Sequence, residues 1–90
     1  MPFLNPWLAD LHGKIARNPS CCRPQDIETL LRGVGYERSG RQCGSHAVYV
    51  RGTRPPQIVP LDCNPLPEDY VFIILDLIAE TLENVHEGSA

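Results

Sequence analysis

The stretch from Tyr36 to Leu61, YERSGRQCGSHAVYVRGTRPPQIVPL, decides the fold class of this chain. Glycines at positions 40, 44 and 52 divide it into short segments. The segments between them have the alternation and the β-branched and aromatic residues that favour strands over helices. The predicted strands cover residues 36–41, 45–51 and 57–61.

The two connections between these strands are predicted to differ. The first, from Gly40 to Gly44, suits a β-hairpin, whereas the second begins at Gly52 and is a longer turn rich in helix and strand breakers. Pro60 has no backbone N–H to donate, so the third strand is expected to be an edge strand or to end there.

Helical patterns precede and follow this stretch. Asn5-Pro6 is typical of an N-cap followed by proline at the first helical position, and a short amphipathic helix is predicted from there to Arg17. A second helix is predicted from Pro24 to Val34, ended by the next glycine in a left-handed conformation. The order helix–helix–strand–strand–strand–helix predicts an α+β domain with a three-stranded antiparallel sheet packed against helices.

The last predicted helix starts at Pro65 or Pro67 and continues towards Val85. Its apolar residues run most of the way round, although a helix that covers one side of a sheet needs only a single apolar stripe. We therefore expect burial on two sides. The second contact is expected either with the N-terminal helix, which carries Trp7, or with another chain, which includes a homodimer through this helix.

Length and composition predict one small globular domain over residues 1–90, with an N-terminal helical extension over residues 1–20. The longest apolar run, residues 70–75, is too short to span a bilayer, and the start of the sequence does not resemble a secretion signal. We expect no membrane partner. We expect a cytoplasmic location, in which the thiols are reduced. The four cysteines lack the paired spacing of zinc sites, so we predict no metal and no other cofactor.

Charge is distributed unevenly along the chain. Residues 14–54 contain all eight Lys and Arg residues and three acids, a net charge of +5. Residues 55–90 contain seven acids and no Lys or Arg, a net charge of −7. The middle of the chain is thus suited to attract a polyanion, although solvated charged faces are the commoner explanation of such a pattern.

The segment Gly44-Ser45-His46-Ala47-Val48-Tyr49-Val50 carries the only histidine outside the terminal regions. If the chain has a catalytic centre, we expect it here. Alternation places His46, Val48 and Val50 on one face of the strand and Ser45, Ala47 and Tyr49 on the other. The pattern does not decide which face is buried.

Several short motifs occur in a fixed order. They are Leu30-Leu31 at a helix end, Gly35-Tyr36, a basic hairpin, Gly44-Ser45-His46, an aromatic residue at Tyr49, Val59-Pro60 and a final helix with Tyr70-Val71. This order resembles the HicA (YcfA-like) toxins, with a HicA-like core over residues 24–85. The resemblance implies a fold similar to double-stranded-RNA-binding domains.

Members of that family are mRNA interferases of type II toxin–antitoxin systems. The resemblance implies a metal-independent endoribonuclease that acts on mRNA and is silenced by a HicB-like antitoxin protein. It matches His46 to the family's catalytic histidine, and Gly44 and Ser45 to the turn that presents it. Two features depart from the family pattern: a second histidine often follows the catalytic one, where this chain has Ala47, and the final helix is acidic rather than basic.

Metal-free RNA cleavage needs a base for the 2′-hydroxyl, an acid for the leaving 5′-oxygen, and cations around the phosphate. Histidine can serve as the acid or the base, a contribution of ~10²–10⁴-fold, and we assign His46 to that role. Gly44 would let the substrate backbone approach, and Ser45 would position a phosphate oxygen or the imidazole. Four arginines that bracket His46 are assigned to phosphate binding: Arg38, Arg41, Arg51 and Arg54.

Each assignment has a structural alternative. A single histidine on a strand is more often structural or merely exposed than catalytic. Tyr36 and Tyr49 suit stacking on an unpaired base, but tyrosines in such strands are more often core residues. The alternative function is a non-catalytic RNA- or protein-binding module with a HicA-like fold, which Ala47 and the acidic final helix favour.

Overall fold

The structure, a computed structural model, describes residues 6–88, and within them the side chains of residues 7–40 and 44–80. Its elements are α1 (Pro6–Arg17), a short 3-10 helix (Pro19–Cys21), α2 (Pro24–Gly33), β1 (Glu37–Cys43), β2 (His46–Val50), β3 (Gln57–Pro60) and α3 (Glu68–Gly88). The strands form an antiparallel sheet in the order β1-β2-β3. The predicted α+β class and the extra N-terminal helix are confirmed. The likeness to double-stranded-RNA-binding domains stays a prediction.

The 3-10 helix between α1 and α2 was not expected from the sequence. Pro19 ends α1 as predicted, but the chain then makes one tight turn, in which the N–H of Cys21 donates to the carbonyl of Asn18 at 3.1 Å. Proline at the first position of such a turn has no N–H that needs an intrahelical partner. This turn leads the chain from the end of α1 to Arg23, the N-cap residue of α2.

The end of α2 is a Schellman motif. Gly35 has φ of +98°, the N–H of Tyr36 donates to the carbonyl of Leu31 at 2.9 Å, and the N–H of Gly35 donates to the carbonyl of Arg32 at 3.1 Å. These two bonds satisfy helix carbonyls that would otherwise lack a donor. The predicted left-handed glycine is therefore confirmed, and it directs the chain from α2 into β1.

The first hairpin is tighter than predicted. We expected a connection from Gly40 to Gly44, but β1 continues through Gly40, and only Gly44 and Ser45 form the turn. Gly44 has φ of +60° and no described non-glycine residue has a positive φ, which is the pattern of a type II′ turn. The register shifts by two residues between Arg38 and Gln42, so β1 holds a bulge where the loop was expected.

The third strand lies at an edge and ends at Pro60, as predicted. The N–H of Leu61 points towards β2 and donates to the carbonyl of Ser45 at 2.7 Å, so the nitrogen of Pro60 points away from β2 and costs the sheet no hydrogen bond. On the same free edge, the Tyr70 hydroxyl donates to the carbonyl of Ile58 at 2.8 Å. The start of α3 thereby covers part of the exposed edge.

The helices cover one face of the sheet and leave the other open. Ala47, Tyr49 and Val59 are fully buried, whereas their strand neighbours His46, Val50 and Ile58 are exposed. The main helical contributions to this core are Ile27, Leu30 and Leu31 from α2 and Val71, Ile74, Leu75 and Ile78 from α3. The apolar stripe of each helix thus lies against the sheet or the neighbouring helix.

Within this single chain α3 contacts both other helices, but its outward side is left exposed, and the expected contact of that side with another chain stays a prediction. Phe72 is 48% exposed and Ile73 is 66% exposed. The N-terminal helix does contact α3, and the His12 ring nitrogen Nε2 lies 3.1 Å from the carbonyl of Leu75, but Trp7 remains 57% exposed. A short helix of 12 residues is too small to cover the whole outer surface of α3. In the described part of the chain, no helix is both long enough and apolar enough to cross a membrane.

Candidate functional site

His46 is the first residue of β2 and lies on the open face of the sheet. The exposure of His46 and Val50, against full burial of Ala47 and Tyr49, decides the question that strand alternation left open. Across the two ladders, His46 pairs with Cys43 on β1 and with Pro60 on β3. Its side chain is therefore accessible to a macromolecule that approaches the sheet from the side without helices.

The turn that presents His46 is open on one side and held on the other. A Cβ on Gly44 would meet no atom within 4 Å, so a ligand backbone can approach this residue closely. The carbonyl of Ser45 accepts the hydrogen bond from Leu61, which fixes the turn against the end of β3. The sequence predicted both residues as parts of the site, and the structure brings them together with His46.

Position 47 belongs to the opposite face of the strand. Ala47 is fully buried and lies opposite Val59 on the neighbouring strand, in the layer between sheet and helices. A second histidine at this position would point into the core and away from His46. In this fold, Ala47 therefore removes no proton-transfer group from the face on which His46 lies.

Among the side chains that the structure describes, those on the face around His46 are apolar rather than basic. Val48 lies opposite Ile58, and Val50 lies opposite Glu37. Ile58 is 51% exposed and Val50 is 40% exposed. The open sheet face thus combines one titratable ring with a row of exposed β-branched side chains.

Arg38 lies on the helix side of the sheet, away from His46. It is opposite Tyr49 in the ladder, and its Nη1 atom is 3.8 Å from a carboxylate oxygen of Glu28 on α2. The same Glu28 oxygen accepts a hydrogen bond of 2.5 Å from the Tyr49 hydroxyl. The pKa of Tyr49 is raised to about 12. Burial is the largest cause, followed by the hydrogen bond to Glu28 and then by the negative charge of Glu28.

Arg32 completes this group and was missed by the sequence reasoning. Its guanidinium carbon lies 5.7 Å from the centroid of the Tyr49 ring, a cation–π distance. Glu28 and Arg32 are four residues apart on one face of α2, and that spacing is the signal that would have grouped them. We name the set Glu28, Arg32, Arg38 and Tyr49 the tyrosine cluster.

Arg51 and Arg54 lie beyond the far end of β2 from His46. A Cβ on Gly35 would be 2.9 Å from Nε of Arg51, so the Arg51 side chain crosses the end of α2. The N–H of Arg54 donates to the carbonyl of Arg51 at 3.0 Å, which places both in one turn. Arg51 follows His46 by five positions along the strand, or roughly 17 Å.

Of the four assigned arginines, Arg38, Arg51 and Arg54 do not lie beside His46 as expected. Arg38 and Arg51 lie on the helix side or at the far end of the strand, because the register places Arg38 opposite Tyr49 and β2 runs away from the turn. The backbone of Arg41 belongs to β1, while its side chain falls outside the described residues. The groups drawn together at the hairpin are Gly44, Ser45 and His46.

Neither tyrosine near the site is available for stacking on a base. Tyr36 is 2% exposed and Tyr49 is fully buried, which confirms their interpretation as core residues. Within the described part of the chain, the Tyr36 hydroxyl is the buried side-chain polar atom without a hydrogen-bond partner. Base recognition on the open face would have to use the His46 ring or the apolar side chains beside it.

A groove of about 200 Å³ lies elsewhere, between α1, the 3-10 helix and α2, and is separate from His46. Its lining consists of Leu11, Lys14, Ile15, Asn18, Cys21, Cys22, Arg23 and Asp26. Arg23 and Asp26 are engaged with one another at 3.3 Å. Among the side chains the structure describes, no three His, Cys, Asp or Glu residues are grouped so as to hold a metal ion.

Comparison with known proteins adds no relative to this picture. No protein-family model matches the sequence, and neither a curated protein nor a solved structure is significantly similar to it.

Proposed function

We propose that this chain is a small endoribonuclease of the toxin type, similar to the HicA mRNA interferases, with His46 as its general acid–base group. The observation that carries the proposal is the exposure of His46 on the uncovered sheet face, directly after the Gly44–Ser45 turn. A catalytic imidazole has to reach a phosphodiester on a large substrate, and an exposed position at a hairpin end meets that requirement.

The roles of the turn residues follow from their geometry. RNA cleavage through the 2′-hydroxyl needs the phosphate close to the imidazole, and the empty space over Gly44 leaves room for it. Ser45 lies between Gly44 and His46 and is fixed through its carbonyl by Leu61. A turn held in this way keeps the histidine in one place, which is how positioning contributes to rate. The partner that silences such an enzyme would be a HicB-like antitoxin.

A second function, a non-catalytic binding module, is favoured by a different observation. The His46 face carries exposed Val50 and Ile58, while Arg38 and Arg51 lie away from it. A surface of this kind suits contact with a protein at least as well as contact with a phosphate backbone. In this alternative, His46 would be one polar residue within a protein interface.

RNA cleavage in the presence of a chelator separates the two functions. The purified wild-type chain is expected to cut single-stranded RNA, and His46→Asn is expected to reduce the rate by ~10²-fold or more while the fold is retained. Val50→Thr is the matched control, since it changes the same exposed face at the other end of β2 and keeps a β-branched side chain. Equal rates for wild type and His46→Asn would remove His46 from the mechanism.

Growth of cells that express the chain gives an independent readout. A toxin is expected to arrest growth when expressed alone, with rescue by the product of a neighbouring gene. His46→Asn is expected to relieve the arrest. Harmless expression of the wild-type chain without any partner would favour the binding module.

A further inference from the structure

We propose that four arginines at the end of the sheet opposite His46 form a separate surface that binds the phosphate backbone of single-stranded RNA. We name this surface, made by Arg32, Arg38, Arg51 and Arg54, the arginine end. The proposal rests on the proposed function only in taking RNA as the ligand. It assigns a role to Arg32, and it separates the binding of the RNA chain from the site of cleavage.

The first support is convergence of residues that are far apart in sequence. Arg32 lies in the last turn of α2, Arg38 in the first half of β1, and Arg51 directly after β2. The Arg32 guanidinium lies over the Tyr49 ring, and Arg38 is opposite Tyr49 in the ladder. Two residues after Tyr49, the Arg51 side chain crosses Gly35 at the end of the same helix.

The second support is an excess of positive charge at this end. Of the acids in the same elements, Asp26 lies at the opposite end of α2 and is paired with Arg23. The two nearer acids are Glu28, which is engaged with Tyr49 and Arg38, and Glu37 at the start of β1. Four arginines against two carboxylates leave a net charge of +2. The other acids that follow Glu37 are the seven after residue 61, which belong to the loop before α3 and to α3 itself.

The third support is that three of the guanidinium groups are already held in place. Arg32 lies against an aromatic ring, Arg38 against a carboxylate, and Arg51 against the backbone at Gly35. Side chains that are restrained before binding lose less conformational freedom when a ligand arrives. Arginine also presents its donors in a planar fork that fits phosphate oxygens.

The chemistry of the surface selects the RNA backbone over the bases. The two tyrosine rings of this region are buried, so no described tyrosine here can stack on a base. Phosphate contacts position a nucleic acid without reading its sequence. The arginine end is therefore a sequence-independent holding surface, roughly one strand length away from His46.

Salt-dependent binding of an uncleavable oligonucleotide tests this assignment. The probe is a fluorescent 2′-O-methyl oligouridylate, which lacks the nucleophilic 2′-hydroxyl and is longer than the 40 Å dimension of the molecule. Binding of single strands weakens with salt by a slope of about 0.7 per phosphate contact. Arg32→Gln combined with Arg51→Gln should lower the slope by about 1.4, so that a fourfold rise in salt weakens wild-type binding about sevenfold more than variant binding.

Two control variants make the result specific. Lys14→Gln combined with Arg17→Gln removes the same charge from the far end of α1, and its slope should equal that of the wild type. Arg32→Lys combined with Arg51→Lys loses the same packing contacts but keeps both charges, and it should recover most of the slope. An equal loss of salt slope in all three double variants would overturn the proposal. So would an unchanged slope in the variant that combines Arg32→Gln with Arg51→Gln.

The outcome is distinguishable from failure of the ribonuclease hypothesis. Wild type that binds the probe through these arginines but cuts no RNA would retain the arginine end and reject the enzyme. Wild type that cuts RNA with unchanged binding in the Gln pair would retain the enzyme and reject the arginine end.

Discussion

The hydroxyl of Tyr49 donates a hydrogen bond of 2.5 Å to a carboxylate oxygen of Glu28, and this bond joins the second half of β2 to the middle of α2. The Tyr49 ring is fully buried, and the Glu28 side chain is only 15% exposed. Arg38 and Arg32 approach the same pair from its more exposed side. The tyrosine cluster therefore fixes the helix on the sheet by polar contacts within an apolar layer.

Tyr49→Phe is expected to lower the free energy of unfolding by about 1.5–3 kcal/mol, the range for hydrogen bonds to charged groups. Because the ring volume is kept, the loss of stability has two causes. The hydroxyl donor is missing, and the Glu28 carboxylate keeps its charge with one hydrogen bond fewer. Urea unfolding followed by circular dichroism measures it. Unchanged stability would mean that water or Arg38 replaces the tyrosine hydroxyl without cost.

Tyr36→Phe is the matched control and has the opposite expectation. The Tyr36 hydroxyl is buried without a hydrogen-bond partner among the described residues. Removing it should leave the free energy of unfolding unchanged or raise it by up to about 1 kcal/mol, because the folded state no longer buries an unsatisfied polar group. Equal destabilisation by Tyr36→Phe and Tyr49→Phe in the urea experiment would show that the hydrogen bond from Tyr49 to Glu28 makes no specific contribution to stability.

Stability is expected to fall as the pH rises above 9. Burial raises the pKa of the Cys22 thiol from 9.0 to about 11, burial and Glu28 raise the pKa of Tyr49 from 10.0 to about 12, and burial raises the pKa of Tyr70. Between the unfolded and folded values, the unfolded chain has lost protons that the folded chain retains. These groups therefore contribute fully to the free energy of unfolding below pH 9. Their contribution is lost as the pH rises through their pKa values in the folded state.

Urea unfolding at a series of pH values from 8 upward measures how the free energy of unfolding changes with pH. Tyr49→Phe should reduce the part that begins near pH 10, to which Tyr70 also contributes, and Cys22→Ala should remove the part that begins near pH 9. A free energy of unfolding that stays constant or rises from pH 9 to pH 11 would contradict the assignment.

The elements could be predicted from the sequence because each local signal agreed with the packing. Pro6, Pro24 and the glycine after α2 mark helix ends by backbone chemistry that the tertiary structure does not override. The hairpin was misplaced because Gly40 and Gly44 give the same signal, and only Gly44 adopts the positive φ that a type II′ turn requires. Gly40 instead lies within the bulge of β1, between Arg38 and Gln42, where glycine is common in strands.

The site was harder to predict because the strand register decides on which face of the sheet a side chain lies. Spacing showed that Arg38 and Arg51 flank His46 in sequence, but one residue of register decides whether a side chain lies with the helices or on the open face. The structure places Arg38 opposite Tyr49, on the helix side. The helical spacing of Glu28 and Arg32 could have grouped these two residues, but the contact of Arg32 with a ring on another element could not be read from a helical pattern.

Gly33→Ala is expected to destabilise the protein by about 1–3 kcal/mol, although alanine normally strengthens a helix. A Cβ at this position would overlap the side chain of Leu8, by which α1 packs on α2. Gly13→Ala is the control, because its Cβ would meet only the flexible end of Arg17 at 3.4 Å. That variant should gain about 0.5–1 kcal/mol in thermal or urea unfolding. Stabilisation by both changes would show that Leu8 repacks freely.

The outward side of α3 leads to an expectation about self-association. Asp69, Phe72, Ile73, Asp76 and Glu80 follow each other at helical spacing on one exposed face, so acids lie above and below the exposed apolar pair. A homodimer through this helix would bring like charges together, and salt would screen their repulsion. We therefore expect a dimer population that increases with salt, measured by sedimentation.

Replacing Phe72 and Ile73 with Gln should make the chain monomeric at every salt concentration, because the apolar contact is the attractive part of such an interface. Ile58→Thr is the matched control, since it removes an exposed apolar side chain of similar accessibility from the open sheet face. If Ile58→Thr dissociates the dimer while the α3 variant does not, the copies meet through their sheets. A wild-type monomer at all practical concentrations, in high salt as in low, would leave the exposed face of α3 to a different protein, whose charge should then be positive.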